Sequence, residues 1–237
     1  MSGTSIIVDS EAVPEVASFG IRAFTTTRAT GSFGVATTEP VRDVMSRWDA
    51  LRRELRTGGP RFATAAQVHG TRVLVHHGEW QGWLRGDDAD GHVAAERGTA
   101  LAVTVADCVP VFLAHPAGAI ALLHSGWRGT ATRIVERGIE GLTQRGFPAS
   151  EIRVHTGPAI CGKCYEVSAD VYAQLTGTNP GKPTTVDLRA LIADHARAAG
   201  VIHITTSPSC TRCDNDRFYS HRAGDLGRQL GVMIADA

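Results

Sequence analysis

Three residues that can bind a metal ion or act as nucleophiles lie at breaks between apolar segments. They are His69, Cys108 and His124. Because strand ends hold side chains on a rigid scaffold, residues far apart in sequence can converge there. Two imidazoles and one thiolate suit zinc or copper, and three protein ligands leave a fourth position for water or substrate, as catalytic sites do.

Each of these residues also has an ordinary interpretation. A single histidine commonly makes structural hydrogen bonds, and a single cysteine before a strand commonly behaves as a small buried apolar residue. A metal-free enzyme is a further alternative, with Cys108 as nucleophile and His69 or His124 as its base. The spacing of the three residues does not separate these interpretations.

Two C-x-x-C pairs form a second candidate site. They are Cys161-Gly-Lys-Cys164 and Cys210-Thr-Arg-Cys213, and together they can close a four-thiolate structural zinc site. The interval between the pairs is longer than in common zinc ribbons, so reduced, partly buried thiols are the alternative. Five cysteines in total is an odd number, which favours thiolate or metal chemistry in a reducing compartment over a disulfide framework.

Composition favours one globular domain over residues 1–237. The chain is 43% apolar and 20% charged, and 24 Lys plus Arg balance 24 Asp plus Glu. We find no run of like charges that would follow a nucleic acid or dock on an anionic membrane. The N-terminus shows no leader pattern and no segment approaches the ~20 apolar residues of a membrane span, so we expect a cytoplasmic protein.

Periodicity and turn residues predict both strands and helices. Strands are predicted at 21–26, 62–68, 72–75, 100–105, 109–114, 119–124, 152–156 and 201–205. Helices are predicted at 41–55, 130–142, 169–175 and 188–199. The tail from Ala223 onward is too mixed for a prediction. These elements indicate an α+β fold, a single domain with a mixed, partly buried β-sheet flanked by helices.

Several of these segments carry expectations about the site. Strands 62–68 and 72–75 would be joined at His69-Gly70. The three apolar segments between 100 and 124 are interpreted as buried strands of one sheet. We expect a solvated turn at 86–91, where acidic residues follow a glycine, and an exposed insertion at 177–185.

Five phrases in this sequence resemble the motifs of the YfiH family. They are Gln67-Val68-His69-Gly70, Ala106-Asp107-Cys108-Val109-Pro110, His124-Ser125-Gly126-Trp127-Arg128-Gly129, Gly157-Pro158-Ala159-Ile160 with Cys164-Tyr165-Glu166-Val167, and Phe218-Tyr219-Ser220-His221-Arg222 through Gly227-Arg228. The matches follow the family's order from Phe24 to Arg228, nearly the whole chain. This family is also called the laccase-domain or polyphenol oxidase family, and it is associated with purine nucleoside phosphorylase activity.

The resemblance implies a YfiH-like fold in which His69, Cys108 and His124 bind one zinc ion, or copper. It implies phosphorolysis of adenosine, inosine and methylthioadenosine, together with deamination of adenosine. A cationic pocket would then hold phosphate, and we assign Arg28 and Arg128 to it, with structural ion pairs as their alternative role. Purine nucleosides and phosphate are thus the expected partners of a monomer or homodimer.

The chain departs from the family pattern after Arg28. The family usually shows a Gly-Gly-x-Ser turn and later a Gly-Asp pair, whereas this chain has Ala29-Thr30-Gly31-Ser32-Phe33-Gly34-Val35 and no Gly-Asp. Three other functions stay open at this point. They are a cysteine hydrolase using Cys108, such as one that edits peptidoglycan precursors, a copper-dependent polyphenol oxidase, and a non-catalytic binding protein.

Overall fold

A computed structural model describes residues 9–56 and 59–237 and contains two six-stranded sheets. The first sheet has, in spatial order, β1 (Ser10–Ala12), β2 (Ile21–Thr26), β14 (Gln229–Ala235), β7 (Thr99–Val105), β3 (Arg61–Ala65) and β5 (Gly82–Gly86). The second has β13 (His203–Thr206), β10 (Arg153–Thr156), β8 (Val109–Ala114), β9 (Ile120–Ser125), β6 (Gly91–Ala94) and β4 (Val73–His76). A small antiparallel pair consists of β11 (Glu166–Val167) and β12 (Thr184–Thr185).

The two sheets pack face to face because their strands are apolar on both sides. Along β7, Leu101 and Val103 point to the layer between the sheets, whereas Ala100 and Ala102 point to the outer face of the first sheet. Phe112 of β8 fills the layer between the sheets from the opposite side. Successive side chains of a strand face opposite ways, so each sheet buries two faces.

Helices cover both outer faces. The α-helices of the described residues are α1 (Val41–Leu55), α2 (Trp127–Ala131), α3 (Ile134–Thr143), α4 (Ala169–Thr176) and α5 (Leu188–Ala198). Helix α1 buries Val44, Trp48 and Leu51 on the first sheet, and α3 and α5 pack on the second. The helix predicted at 130–142 is divided, because Arg133 adopts a left-handed φ of 62° between α2 and α3.

Three connections pass from the first sheet to the second at one edge. Strands β3, β5 and β7 are parallel, and each is followed directly by a strand of the second sheet, namely β4, β6 and β8. Strand β9 runs antiparallel to β8 and therefore ends where β8 begins. We call this place the crossing edge; it brings together residues 66–72, 87–90, 106–108 and the end of β9.

The predicted α+β architecture is confirmed, with two corrections of topology. The segments around 62–68 and 72–75 are joined through His69-Gly70 as predicted, but the strands are Arg61–Ala65 and Val73–His76 and they lie in different sheets. Segment 100–105 lies in the first sheet, whereas 109–114 and 119–124 pair in the second. Both corrections have one cause: buried strands of either sheet are equally apolar, so composition does not say which sheet they join.

The sequence also led to expectations about the N-terminus, about segment 177–185 and about membrane spans. Residues 1–8, which contribute to the expectation of no leader, lie outside the described part. Segment 177–185 is largely exposed, as predicted. Among the described residues, we find no helix of the length and hydropathy that a membrane span requires.

Two buried histidines of β4 and β6 make the fold sensitive to acid. The rings of His76 and His92 are stacked with centroids 5.2 Å apart, and Nε2 of His76 lies 2.9 Å from Nδ1 of His92. Burial, with the neighbouring charge of His77, lowers the pKa of His76 to about 4. Burial and His76 lower the pKa of His92 to about 3, against the opposing charge of Asp90. Both imidazoles are thus neutral in the folded protein near pH 7.

We expect acid to destabilise the protein through this pair. Below pH ~6.5 the unfolded chain binds protons that the folded chain does not, so the free energy of unfolding falls by about 1.4 kcal/mol per pH unit for each imidazole. In urea titrations of metal-free protein between pH 7 and 4.5, His92→Gln should be less stable than the wild type at pH 7, by an amount that shrinks towards pH 4.5. The exposed His77→Gln is the control. Parallel pH profiles for wild type and His92→Gln would contradict the prediction.

Candidate metal centre

The three predicted ligands meet at the crossing edge. His69 lies in the first connection, Cys108 in the third and His124 at the end of β9. Their ligand atoms lie within 4.8 Å of one another, and the two imidazole rings are nearly perpendicular with centroids 4.8 Å apart. His124 is buried, Cys108 is half-buried and His69 is exposed. The cluster is therefore accessible from the side of His69.

The buried carboxylate of Asp90, in the second connection, holds two of the ligands. Oδ1 accepts hydrogen bonds from the His69 backbone N–H at 2.9 Å and from Nδ1 of His124 at 2.8 Å. Oδ2 accepts from the backbone N–H groups of Gly70 at 2.6 Å and Val68 at 3.2 Å. Since Asp90 binds Nδ1 of His124, Nε2 is the atom left for a metal.

The electrostatics of Asp90 agree with this role. Burial alone would raise its pKa, but the hydrogen bonds from His124 and Gly70 lower it below the ordinary value. The expected solvated turn at 86–91 is therefore wrong at its end: Asp87 and Asp88 are exposed, but Asp90 is fully buried. An acidic run does not reveal which of its carboxylates receives N–H donors from a distant loop.

Cys108 and His124 polarise each other. Burial opposes ionisation of Cys108, but the charge of His124, with hydrogen bonds from His124 and His69, brings the pKa of Cys108 down to about 6. Burial also opposes protonation of His124, but the Cys108 thiolate and Asp90 raise the pKa of His124 to about 9. A site that holds a proton between a thiolate and a carboxylate-bound imidazole favours a cation there. The donor set of two nitrogens and one sulfur fits zinc or copper.

The backbone around the cluster is unusual at two non-glycine residues. His69 and Asp107 have φ values of 60° and 78°, in the left-handed region that such residues rarely occupy. The Asp107 carboxylate accepts hydrogen bonds from the Thr211 hydroxyl at 2.6 Å and the Arg222 backbone N–H at 2.7 Å.

At Gly126 a Cβ would lie 3.0 Å from Sγ of Cys108 and from Cδ2 of His69. A side chain at residue 126 would therefore crowd two of the ligands.

Arg128, which we predicted to bind phosphate, lies beside the cluster. Its exposed guanidinium stacks on Trp127 at 4.4 Å from the ring centroid. Burial and the charge of Cys108 raise the pKa of Tyr165 to about 12, while Arg222 and Arg128 act in the opposite direction. Tyr165 is thus a neutral hydroxyl near Cys108, with two cationic side chains around it.

Arg28, the other residue that we predicted to bind phosphate, has structural partners. Its guanidinium donates to the Asp225 carboxylate at 2.6 Å and to the carbonyls of Asn215 and Phe218 at 3.0 and 3.2 Å. It also lies over the Tyr219 ring, 4.4 Å from the centroid. These contacts use Nε and Nη2 of Arg28, so the alternative structural role is present, and phosphate binding by Arg28 stays a prediction.

The four cysteines of the two C-x-x-C pairs also come together. The sulfurs of Cys161, Cys164, Cys210 and Cys213 lie within 4.8 Å of one another, and none of these residues forms a disulfide. Among the described residues, this cluster and the His69, Cys108 and His124 set are the two groups that could hold a metal ion.

Sequence reasoning missed three residues around the centre: Asp90, Tyr165 and Arg222. Tyr165 and Arg222 stand inside phrases that resemble family motifs, so their positions carried a signal that we did not use. Asp90 carried none, because its partners belong to two other loops.

The sequence and the fold are both similar to those of known proteins. A family model described as "Multi-copper polyphenol oxidoreductase laccase" matches residues 23–236. The chain belongs to this family. Its fold is that of solved YfiH-family structures: YfiH from Bacillus licheniformis, with a TM-score of 0.85 and 23% identity over 95% of this chain and 96% of that one, and YlmD from Geobacillus stearothermophilus, with 0.84 and 28% over 92% and 93%.

The relatives of this YfiH-family chain are named for two activities. A protein of Streptomyces griseus named "Purine nucleoside phosphorylase ORF3" is 37% identical over 178 residues, 72% of each chain. A protein of Deinococcus radiodurans named "Purine nucleoside phosphorylase" is 38% identical over 183 residues, 73% of this chain and 69% of the other. "Adenosine deaminase RL5", from an unknown prokaryotic organism, is 33% identical over 188 residues, 70% of this chain and 69% of the other.

The segment that departs from the YfiH-family pattern has contacts of its own. Phe33 is buried against Trp48, whose Nε1 donates to the Phe33 carbonyl at 3.0 Å. The Ser32 hydroxyl accepts from the backbone N–H of Arg228 at 3.1 Å. Phe33 and Ser32 therefore tie this loop to α1 and to the segment before β14.

Proposed function

We propose that residues 1–237 form a single catalytic domain, a metal-dependent purine nucleoside phosphorylase that also deaminates adenosine. Its substrates would be adenosine, inosine and methylthioadenosine with phosphate, and its cofactor zinc, with copper as the alternative. The observation that carries this proposal is the open cluster of His69, Cys108 and His124 in a chain whose relatives, up to 38% identical, are named for these activities.

His69, Cys108 and His124 would hold the metal, which supplies a Lewis acid at the exposed side of the cluster. Asp90 fixes the tautomer and direction of His124. It also fixes the loop that carries His69. The ligands are therefore positioned before substrate arrives, as catalysis by a rigid site requires.

The other residues near the cluster suit a phosphate and a nucleoside. In phosphorolysis the bond from the ribose to the purine breaks and a bond from the ribose to a phosphate oxygen forms. Arg222, whose guanidinium lies 5.1 Å from the centroid of the Tyr165 ring, and Arg128, in the helix that follows His124, would bind phosphate. The neutral Tyr165 hydroxyl would donate a hydrogen bond to the substrate. In deamination water adds to the purine carbon and ammonia leaves.

Two rival functions make different demands. A cysteine hydrolase is favoured by one observation, the position of the Cys108 thiol beside His124, which also lowers the pKa of that thiol, and it would need no metal. A polyphenol oxidase would need several coppers for electron transfer and dioxygen reduction. In the described part of the chain, the second metal-ligand group is made of four thiolates rather than imidazoles, which does not suit oxygen chemistry.

The proposal is tested by assaying zinc-loaded protein with adenosine and inosine, with and without phosphate. We expect inosine to yield free base and ribose 1-phosphate only with phosphate, and adenosine to yield inosine without it. Both reactions should stop on chelation and return with zinc. Protein that is inert towards every nucleoside would overturn the proposal. Activity that survives chelation but not alkylation of Cys108 would favour the hydrolase.

A further inference from the structure

Two turns bring four cysteine sulfurs together behind the Cys108 connection. In the first turn the Cys164 N–H donates to the Cys161 carbonyl at 2.9 Å, and in the second the Asp214 N–H donates to the Cys210 carbonyl at 2.8 Å. A parallel β-bridge between Ala159 and Cys210 joins the two turns. The cysteines of each pair are thus held on the same side of a turn, as in metal-binding C-x-x-C turns.

The sulfur positions suit one tetrahedral ion. All four sulfurs lie within 4.8 Å of one another, and those of Cys164 and Cys213 are 3.5 Å apart. Zinc with Zn–S bonds of about 2.3 Å needs sulfurs about 3.8 Å apart at the corners of a tetrahedron. These separations leave room for a single ion but not for a multi-iron cluster. The 3.5 Å between Cys164 and Cys213 also exceeds the ~2.0 Å of a disulfide bond, and all four cysteines are free thiols.

The surroundings of the Cys210 sulfur favour a thiolate. The backbone N–H groups of Cys161 and Cys213 both point to Sγ of Cys210, at 3.2 and 3.5 Å. Each pair encloses a cationic residue, Lys163 in the first and Arg212 in the second. Zinc bound by four thiolates has a net charge of −2, so N–H donors and nearby cations stabilise it.

We propose that Cys161, Cys164, Cys210 and Cys213 bind a second zinc ion, which is structural and distinct from the metal of the His69 and His124 cluster. Four protein ligands leave no position for water or substrate, so this ion has no place in the reaction. It joins segments 157–166 and 207–217 at the crossing edge.

This ion would position the wall of the first site. Thr211, next to Cys210, donates its hydroxyl to the Asp107 carboxylate at 2.6 Å, and the Ile160 N–H donates to the Asp107 carbonyl at 3.1 Å. Tyr165, next to Cys164, is the hydroxyl near Cys108. The second zinc therefore fixes Asp107, which precedes Cys108, and it also fixes Tyr165.

The experiment counts zinc per chain in protein purified under reducing conditions and dialysed exhaustively. We expect two zinc ions in the wild type, one in Cys164→Ser/Cys213→Ser and one in the matched variant Cys108→Ala/His124→Ala. The zinc in Cys108→Ala/His124→Ala should show only sulfur neighbours, at about 2.3 Å, in X-ray absorption spectra. This variant keeps all four thiols, so the test stands if the serine variant does not fold.

Three results would overturn the proposal. They are iron in place of zinc, a Cys108→Ala/His124→Ala protein whose four thiols titrate freely or form disulfides, and bound zinc with nitrogen or oxygen neighbours in that variant. None of them depends on nucleoside turnover. The failure of this inference is thereby distinguished from the failure of the proposed function.

Discussion

Cys108→Ala and His124→Ala should each release no measurable base from inosine and should each contain one zinc ion fewer than the wild type. Either change leaves two ligands, too few to hold a catalytic zinc. A metal ion supplies several kcal/mol of transition-state stabilisation, and about 1.4 kcal/mol corresponds to a tenfold rate change, so kcat/KM should fall at least ~10³-fold. Zinc content and kcat/KM measured on the same preparations check this expectation.

The matched control is His77→Ala, which removes an exposed imidazole that follows β4. It should change neither zinc content nor kcat/KM. Full turnover by Cys108→Ala after its zinc is lost would show that the reaction needs neither the thiolate nor the metal. Unchanged zinc content with lost activity would instead assign Cys108 a nucleophilic role.

Asp90→Ala should weaken both the fold and the metal centre. The change leaves Nδ1 of His124 and the backbone N–H groups of Val68, His69 and Gly70 without their common acceptor. Removing one partner of a buried charged network costs about 3–5 kcal/mol in free energy of unfolding. Loss of the carboxylate behind a metal-binding imidazole weakens metal binding by about 10–100-fold. Urea unfolding of metal-free protein and competition with a zinc chelator measure the two effects.

Asp87→Ala is the control, because the Asp87 side chain is exposed in the same connection and the residue makes its hydrogen bond to Arg72 through the backbone carbonyl. It should change stability and zinc affinity little. Asp90→Asn adds a second test: it keeps the size of the side chain but turns an amide nitrogen towards N–H donors, so it should restore only part of the lost stability. Wild-type zinc affinity in Asp90→Ala would show that His124 is oriented without its carboxylate partner.

The pattern of apolar and polar residues predicted helices and strands well where one face of the element is buried and the other is exposed. Helix α1 has the predicted bounds because Val44, Trp48 and Leu51 recur on one side behind Pro40. The ligand set was predicted by type and by resemblance to a family, and its three members meet in space. The pattern did not predict which strands pair with one another, because β7 and β8 are equally apolar and yet belong to different sheets.

Two other features depend on distant partners and have no local signal. The carboxylate of Asp90 resembles its exposed neighbours until the loops of His69 and His124 close on it. Strand β14 is wholly buried although it contains Gln229 and Gly231, because neighbours on both sides and layers on both faces cover it. Burial on all sides removes the alternation by which a strand is identified.

The position of β14 has a consequence for biosynthesis. It pairs on one side with β2 and on the other with β7, so the middle of the first sheet is completed by residues 229–235. While these residues are still inside the ribosome, β2 and β7 have no partner at their facing edges, and unpaired edges invite pairing with other chains. The first sheet therefore closes late, and a nascent chain arrested before residue 229 should be a substrate for chaperones rather than a smaller folded protein.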